Sequence, residues 1–241
     1  DVRASFPFEP YACQLEYMRK VVLACENRQN ALLESPTGTG KTLCLLCGVL
    51  SWRETFAART TAKIQQKQQE DASYHAWTDD QLAKDINNAL PRIFYTSRTH
   101  SQLKQVSREL RKTAYRPRAT VIGGREQLCV HPMKAEKFGQ VMSVATGGSS
   151  GSSGGGGSGA GGTCSYYYSV FTRKYQQILP DTSLMDIEEL KSVCKQSFVC
   201  PFFKSREDAR EAQLVLCPYN YLLDPAARGA LNLSLKNLWR L

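Results

Sequence analysis

The stretch Ser35-Pro36-Thr37-Gly38-Thr39-Gly40-Lys41-Thr42 decides how this chain is read. It stands between a short apolar run, Ala31-Leu32-Leu33, and a longer one, Leu43-Cys44-Leu45-Leu46-Cys47-Gly48-Val49-Leu50. A strand, a glycine-rich turn and a helix are expected in that order, the setting in which a phosphate-binding loop works. Gly38 and Gly40 let backbone N–H groups close around phosphate oxygens at the positive end of the helix. Lys41 is placed to reach the β- and γ-phosphates of a nucleoside triphosphate, and the Thr42 hydroxyl to ligate Mg²⁺. The general pattern opens on glycine, and Ser35 holds that place here. Ser35 through Thr42 are thus the candidate nucleotide-binding residues, with Lys41 and Thr42 as the catalytic candidates.

At 241 residues the chain suits one large domain or two small ones. Hydrophobic residues at 42% and charged residues at 22% exclude a disordered, low-complexity chain. The formal charge of +9 and a pI near 9.1 point to a polyanionic partner. No apolar run is long enough for a membrane-spanning helix, so no membrane association is expected. The opening Asp1-Val2-Arg3-Ala4-Ser5 lacks the layout of a secretory signal, and a start at Asp rather than Met leads us to expect an upstream piece. The nine cysteines, an odd number, then read as free or metal-bound thiols in a reducing compartment. Cys44 and Cys47, three apart on the apolar face of the helix, are expected to pack in the core rather than bind zinc, and Cys13 and Cys25 likewise.

Gln14 to Ala24 carries Leu15, Met18, Val22 and Leu23 at helical spacing. The helix after the phosphate loop is expected to end near Trp52. Residues 53–90 are polar and glutamine-rich, with Ile64, Trp77, Leu82 and Ile86 scattered through them, and read as a surface insertion with some helix and no core role. Pro91 to Thr96, Ala119 to Ile122 and Gln213 to Leu216 read as strands. Ser101 to Tyr115 is an amphipathic helix with Leu103, Val106 and Leu110 inward and Lys104, Arg108, Arg111 and Lys112 outward. The alternation predicts an α/β fold with a parallel, doubly wound sheet. Gly147 to Gly162, almost wholly Gly and Ser, reads as a flexible linker.

Several separated stretches, taken together, resemble the XPD-like superfamily 2 iron–sulfur DNA helicases. They are FPFEPYACQLEYM (Phe6–Met18), ESPTGTGKTLCLLC (Glu34–Cys47), YTSRTHSQL (Tyr95–Leu103), REQLCVHP (Arg125–Pro132), CPFFKSRE (Cys200–Glu207) and CPYNYLLD (Cys217–Asp224). The resemblance implies a RecA-like parallel sheet, the incomplete first motor domain, with an inserted iron–sulfur subdomain. Its boundaries would be 1–124 for the first part of the motor domain with the polar insertion 53–90, 125–205 for the iron–sulfur-type insertion, and 206–241 for the continuation. It further implies an ATP-driven, Mg²⁺-dependent 5′-to-3′ DNA helicase of genome and telomere maintenance, acting in the nucleus on single-stranded or structured DNA.

Residue by residue, the resemblance matches Gln14 to the glutamine that recognises adenine, since a side-chain amide both donates to and accepts from the base edge. Ser97, Arg98 and Thr99 match the motif that grips the backbone of single-stranded DNA, where a guanidinium and hydroxyls meet phosphate without reading bases. The bland alternative is a helix N-cap supplied by Thr99 or Ser101. The basic face of the following helix would extend the track for DNA.

Cys129, Cys164 and Cys200 match the first, third and fourth ligands of a [4Fe–4S] cluster held by four thiolates. The second ligand falls in the Gly/Ser tract, where no cysteine occurs. Three readings stay open: three reduced thiols without a cluster, a cluster held by these three and another group such as Cys194 or His131, or a sequence misassigned across the repeat. The family's Asp-Glu-Ala-His motif, which serves phosphoryl transfer, does not occur before Leu241. The expectation is therefore the binding half of an ATPase site, with the 241-residue chain inactive alone. Two rivals are a non-catalytic nucleotide- and nucleic-acid-binding fragment and an unrelated phosphate-loop kinase or GTPase.

Overall fold

A small parallel sheet organises the chain in the computed structural model, which describes residues 4–70, 81, 86, 89–131, 164–172, 179–231 and 238–240. Its strands β1 (Arg92–Ser97), β2 (Ala119–Val121), β3 (Leu214–Pro218) and β4 (Leu238–Arg240) lie in the order β2-β3-β1-β4. Ile93 pairs with Leu214 and Tyr95 with Leu216 across β1 and β3, while β2 pairs Ala119 with Leu214 and β4 pairs Leu238 with Arg92, all parallel. Ile93, Phe94, Leu214, Val215, Leu216 and Cys217 are almost completely buried, as strands covered on both faces must be.

The pleat sends alternate residues to opposite sides. Ile93, Leu214 and Leu216 join the larger core with helices α1 (Ala12–Glu26), α2 (Lys41–Glu70) and α3 (His100–Lys112). Phe94, Val215 and Cys217 join a second cluster with Ala209 and Leu231. Helices on both faces of a parallel sheet make this the expected doubly wound α/β arrangement. Among the described residues the further helices are α4 (Arg125–Leu128), α5 (Ser165–Phe171), α6 (Ile187–Gln196), α7 (Pro201–Glu211), α8 (Asn220–Leu223) and α9 (Pro225–Ala230).

The structure corrects five local expectations. Ala31–Leu33 forms no strand, and Leu32 is 99% exposed. Both edges of β1 are already taken, by β3 and β4, so no ladder is open to it there. Helix α2 does not stop near Trp52 but continues to Glu70, 30 residues or about 45 Å. No Gly or Pro interrupts Val49–Glu70, and its Ala, Gln, Lys and Arg residues favour helix.

The start of 53–90 therefore has a core role. Arg53 is buried with its Nε donating to the Pro91 carbonyl at 2.9 Å, and Phe56 packs on Trp52 with ring centroids 5.4 Å apart. Trp77, Leu82 and the tract 147–162 lie outside the described residues. On α1 the buried face is Met18, Val21 and Cys25, whereas Leu15 and Leu23 are about half exposed. The helix is turned this way because it meets α2 at Gly48, where an added Cβ would stand 3.2 Å from Val21 Cγ1 and 3.4 Å from the Met18 carbonyl oxygen. Finally, Cys44, Cys47 and Cys25 are buried as expected, but Cys13 is exposed, one residue off that face.

Candidate functional site

The phosphate-loop segment turns on Gly38 (φ 86°) and Gly40 (φ 72°) and delivers Lys41 as the first residue of α2. Gly40 is required twice. Its left-handed backbone excludes most side chains, and an added Cβ would press to 3.2 Å from Gln14 Nε2. The loop is internally bonded: Ser35 Oγ and Thr39 Oγ1 lie 2.5 Å apart, and Thr39 Oγ1 donates to the Pro36 carbonyl at 2.8 Å. Lys41 Nζ donates to the carbonyls of Ser35 at 2.8 Å and Pro36 at 2.7 Å. The ammonium is therefore folded over the loop it belongs to, and a polyphosphate would have to draw it from those carbonyls.

Gln14 joins the loop from α1. Its Nε2 donates to the Thr39 carbonyl at 3.1 Å, and its Oε1 accepts the Tyr11 N–H at 2.9 Å. The glutamine matched to adenine recognition thus reaches the phosphate loop itself, with one amide N–H and one acceptor lone pair left for a base. Cys13, Gln14, Tyr17, Ser35, Thr39, Lys41 and Cys44 line a narrow crevice too tight to admit a water molecule. Tyr17 was not singled out by the sequence, and Cys13 was expected in the core rather than at this site. Their signal was their place one and three residues from Gln14 on a helix whose facing residues follow the loop. Burial pushes the Tyr17 hydroxyl up, with smaller contributions from Tyr95 and Cys44, which puts the end of β1 near this wall. Burial also pushes up the Cys44 thiol.

The proposed DNA-grip residues sit where β1 ends, at the carboxyl edge of the sheet, the edge at which α/β folds bind ligands. Thr99 realises the bland reading as well: it is the N-cap of α3, its Oγ1 accepting from Gln102 N while Gln102 Oε1 accepts from Thr99 N, each at 3.3 Å. Ser97 Oγ bonds Gln102 Oε1 at 2.6 Å, and its carbonyl accepts the Tyr219 N–H at 3.1 Å. Arg98 and Thr99 are exposed at this turn.

The basic face of α3 is not the open track that was expected. Lys104 pairs with Asp186 at 3.5 Å and Glu188 at 3.1 Å, and Arg111 forks onto Glu189 and donates to the Leu184 carbonyl at 2.9 Å. These carboxylates begin α6, where Asp186 Oδ1 accepts from Glu188 N and Glu189 N and Glu189 Oε2 accepts from Asp186 N. The sequence spacing could not show that an acidic capping box lies opposite those cations.

Cys164 and Cys200 are buried and Cys129 is half-buried. Burial pushes the Cys200 thiol up, and the nearby thiols of Cys164 and Cys129 add to the effect, so the three share a neighbourhood. The Cys200 N–H donates to the Tyr166 carbonyl at 3.0 Å, tying α7 to α5. Cys194 is fully buried in the main core and its thiol is pushed up to about 12, so it is not presented as a fourth thiolate. Among the described residues no group of three or more His, Cys, Asp or Glu side chains has metal-holding geometry. These side chains do not make a complete cluster site. Among the described residues no helix is long and apolar enough to cross a membrane.

The chain has sequence relatives and fold neighbours among known proteins. The profile of the DEAD_2 family matches residues 95–238. Regulator of telomere elongation helicase 1 of Rattus norvegicus is 40% identical over 244 residues, covering 98% of this chain and 18% of the relative. The Homo sapiens protein is 40% identical, covering 98% and 19%, and the Drosophila yakuba homolog is 41% identical, covering 96% and 24%. The chain spans roughly a fifth of the length of these relatives. Two solved structures share the fold: an XPD helicase with TM-score 0.55 at 16% identity, covering 96% of this chain and 32% of that one, and a truncated XPD with TM-score 0.50 at 16% identity, covering 92% and 50%.

Proposed function

Since the chain belongs to the DEAD_2 family of XPD-like superfamily 2 helicases, we propose that it forms the nucleotide- and DNA-binding part of the first motor domain of an ATP-dependent 5′-to-3′ DNA helicase of genome and telomere maintenance. The observation that carries this reading is the union of Gln14 with the phosphate loop, Nε2 to Thr39 carbonyl at 3.1 Å, directly before Lys41 and Thr42 at the start of α2. A general phosphate site has no use for an amide held beside the loop, whereas an adenine nucleotide uses both.

In this reading Ser35 to Gly40 would wrap the phosphates, Lys41 would leave its carbonyl partners for the phosphate oxygens, and Thr42 Oγ1 would help hold Mg²⁺. Bound Mg²⁺ would supply charge neutralisation for phosphoryl transfer. Ser97, Arg98 and Thr99 hold the phosphodiester backbone of single-stranded DNA at the exposed turn after β1. Residues 1–124 and 206–241 contribute to the motor domain and 125–205 to an iron–sulfur-type insertion, in a protein working in the nucleus. The shared neighbourhood of Cys129, Cys164 and Cys200 supports a [4Fe–4S] assignment, while the want of a fourth thiol beside them speaks against it, and no step above passes through a cluster.

The test is unwinding by the whole protein of forked DNA with a 5′ single-stranded tail, with Lys41→Ala as control. ATP-dependent unwinding that requires the 5′ tail and is lost in the variant is expected. Unwinding that needs a 3′ tail, or survives in Lys41→Ala, would overturn the assignment.

A further inference from the structure

Helix α6 ends in an unusual way. The Val199 N–H donates back to the Cys194 carbonyl at 2.8 Å and the Phe198 N–H to the Lys195 carbonyl at 3.3 Å, a helix stop that places one residue in the left-handed region. Glycine is the usual occupant. Here it is Phe198, with φ 54°, a conformation that a bulky side chain adopts against its preference. The strain does not bury the ring: Phe198 is 62% exposed. It stacks on Tyr166 of α5, with ring centroids 5.8 Å apart and planes 26° from parallel, and His131 meets Tyr166 edge-on at 6.2 Å.

The two ring bearers are fixed to each other. The Cys200 N–H, two residues after Phe198, donates to the carbonyl of Tyr166 itself at 3.0 Å. Lys195, three residues before Phe198, is exposed. A strained backbone that holds an aromatic face in water on a strongly basic chain is not explained by core burial. It matches what a single strand needs, a flat ring for an unstacked base.

We propose that the Tyr166–Phe198 pair is a base-stacking platform for single-stranded nucleic acid, a contact separate from the phosphate grip of Ser97, Arg98 and Thr99. The proposal rests on the nucleic-acid reading above and adds to it a contact with the bases. Stacking is indifferent to sequence, so the platform suits a motor that must travel over any strand.

Phe198→Gly tests it, because glycine suits the left-handed backbone and removes the ring without unfolding the turn. The 241-residue chain is titrated with a labelled short oligothymidylate and with an abasic strand of equal length, at one salt concentration. The variant is expected to melt at or above the wild-type temperature, to bind oligothymidylate roughly tenfold more weakly, and to bind the abasic strand unchanged. Phe198→Trp should restore the wild-type affinity. Equal oligothymidylate affinity of Phe198→Gly and wild type would overturn the platform while leaving the nucleic-acid reading intact. Wild-type chain that binds neither strand would overturn that reading and the platform with it. Wild type that binds both strands equally would show a contact with phosphate alone and overturn the platform.

Discussion

Gln14 Nε2 lies 3.1 Å from the carbonyl oxygen of Thr39, so the first helix and the phosphate loop are bonded before any nucleotide arrives. The same amide accepts the Tyr11 N–H at 2.9 Å, and therefore links the start of α1 to the loop. In the proposed reading a residue with this geometry serves both loop order and base choice.

Gln14→Ala should reduce the preference of the chain for ATP over GTP by roughly fivefold, the worth of about one hydrogen bond. Competition between the two nucleotides against a fluorescent analogue measures it. A preference unaltered in the variant would separate Gln14 from base recognition.

Gly40→Ala should destabilise the chain by about 1–2 kcal/mol, since an L-residue pays that amount in the left-handed region. The 3.2 Å approach to Gln14 Nε2 adds to the effect by pushing the amide from Thr39. Urea unfolding reads the loss. Gly38→Ala has the same backbone problem with open space around it, so it should cost less.

Much of this arrangement was legible in the sequence. The loop glycines, Lys41 and the strands at β1, β2 and β3 follow from local chemistry, because a phosphate loop and a buried parallel strand both dictate residue type. The rotation of α1 did not follow, since Leu15 and Leu23 fit a helical stripe as well as Val21 and Cys25 do. What decides between them is the close approach at Gly48, a contact across 27 positions of sequence. The fate of the α3 cations was hidden for the same reason. Lys104 and Arg111 look like a solvated basic face until Asp186, Glu188 and Glu189 are placed opposite them.

That clamp predicts an acid response. Hydrogen bonds from Arg111 hold the Glu189 carboxyl below its ordinary 4.5, against the opposing effect of burial. A carboxylate held down in the fold stabilises above its unfolded value, and the contribution is lost as pH falls through the lowered one. Arg111→Ala should therefore cost roughly 0.5–1 kcal/mol at neutral pH and show a shallower loss of stability below pH 4.5 than wild type. Thermal melts over pH 3 to 7 check it; parallel acid profiles for the two proteins would contradict it.

Lys204 and Asp208 form a pair on α7 with Nζ 2.5 Å from both carboxylate oxygens, and the lysine side chain is 9% exposed. Burial pushes Asp208 up and Lys204 draws it back, so removing the lysine leaves a partly buried acid with the weaker Thr182 contact at 3.5 Å. Lys204→Met should cost about 1–3 kcal/mol, since the acid left behind is only partly buried, and the double variant with Asp208→Leu should recover much of it. Urea unfolding of the single and double variants measures the coupling; additive losses would show that the two side chains act independently.

The central claim is that Ser35–Thr42 holds the phosphates of an adenine nucleotide, and a MgATP titration of the 241-residue chain and its Lys41→Ala variant tests it most directly. The account predicts saturable binding by the wild type and affinity about 10- to 100-fold weaker in the variant, the worth of a charged hydrogen-bond donor at the phosphates. Equal affinity in the two folded proteins would contradict it.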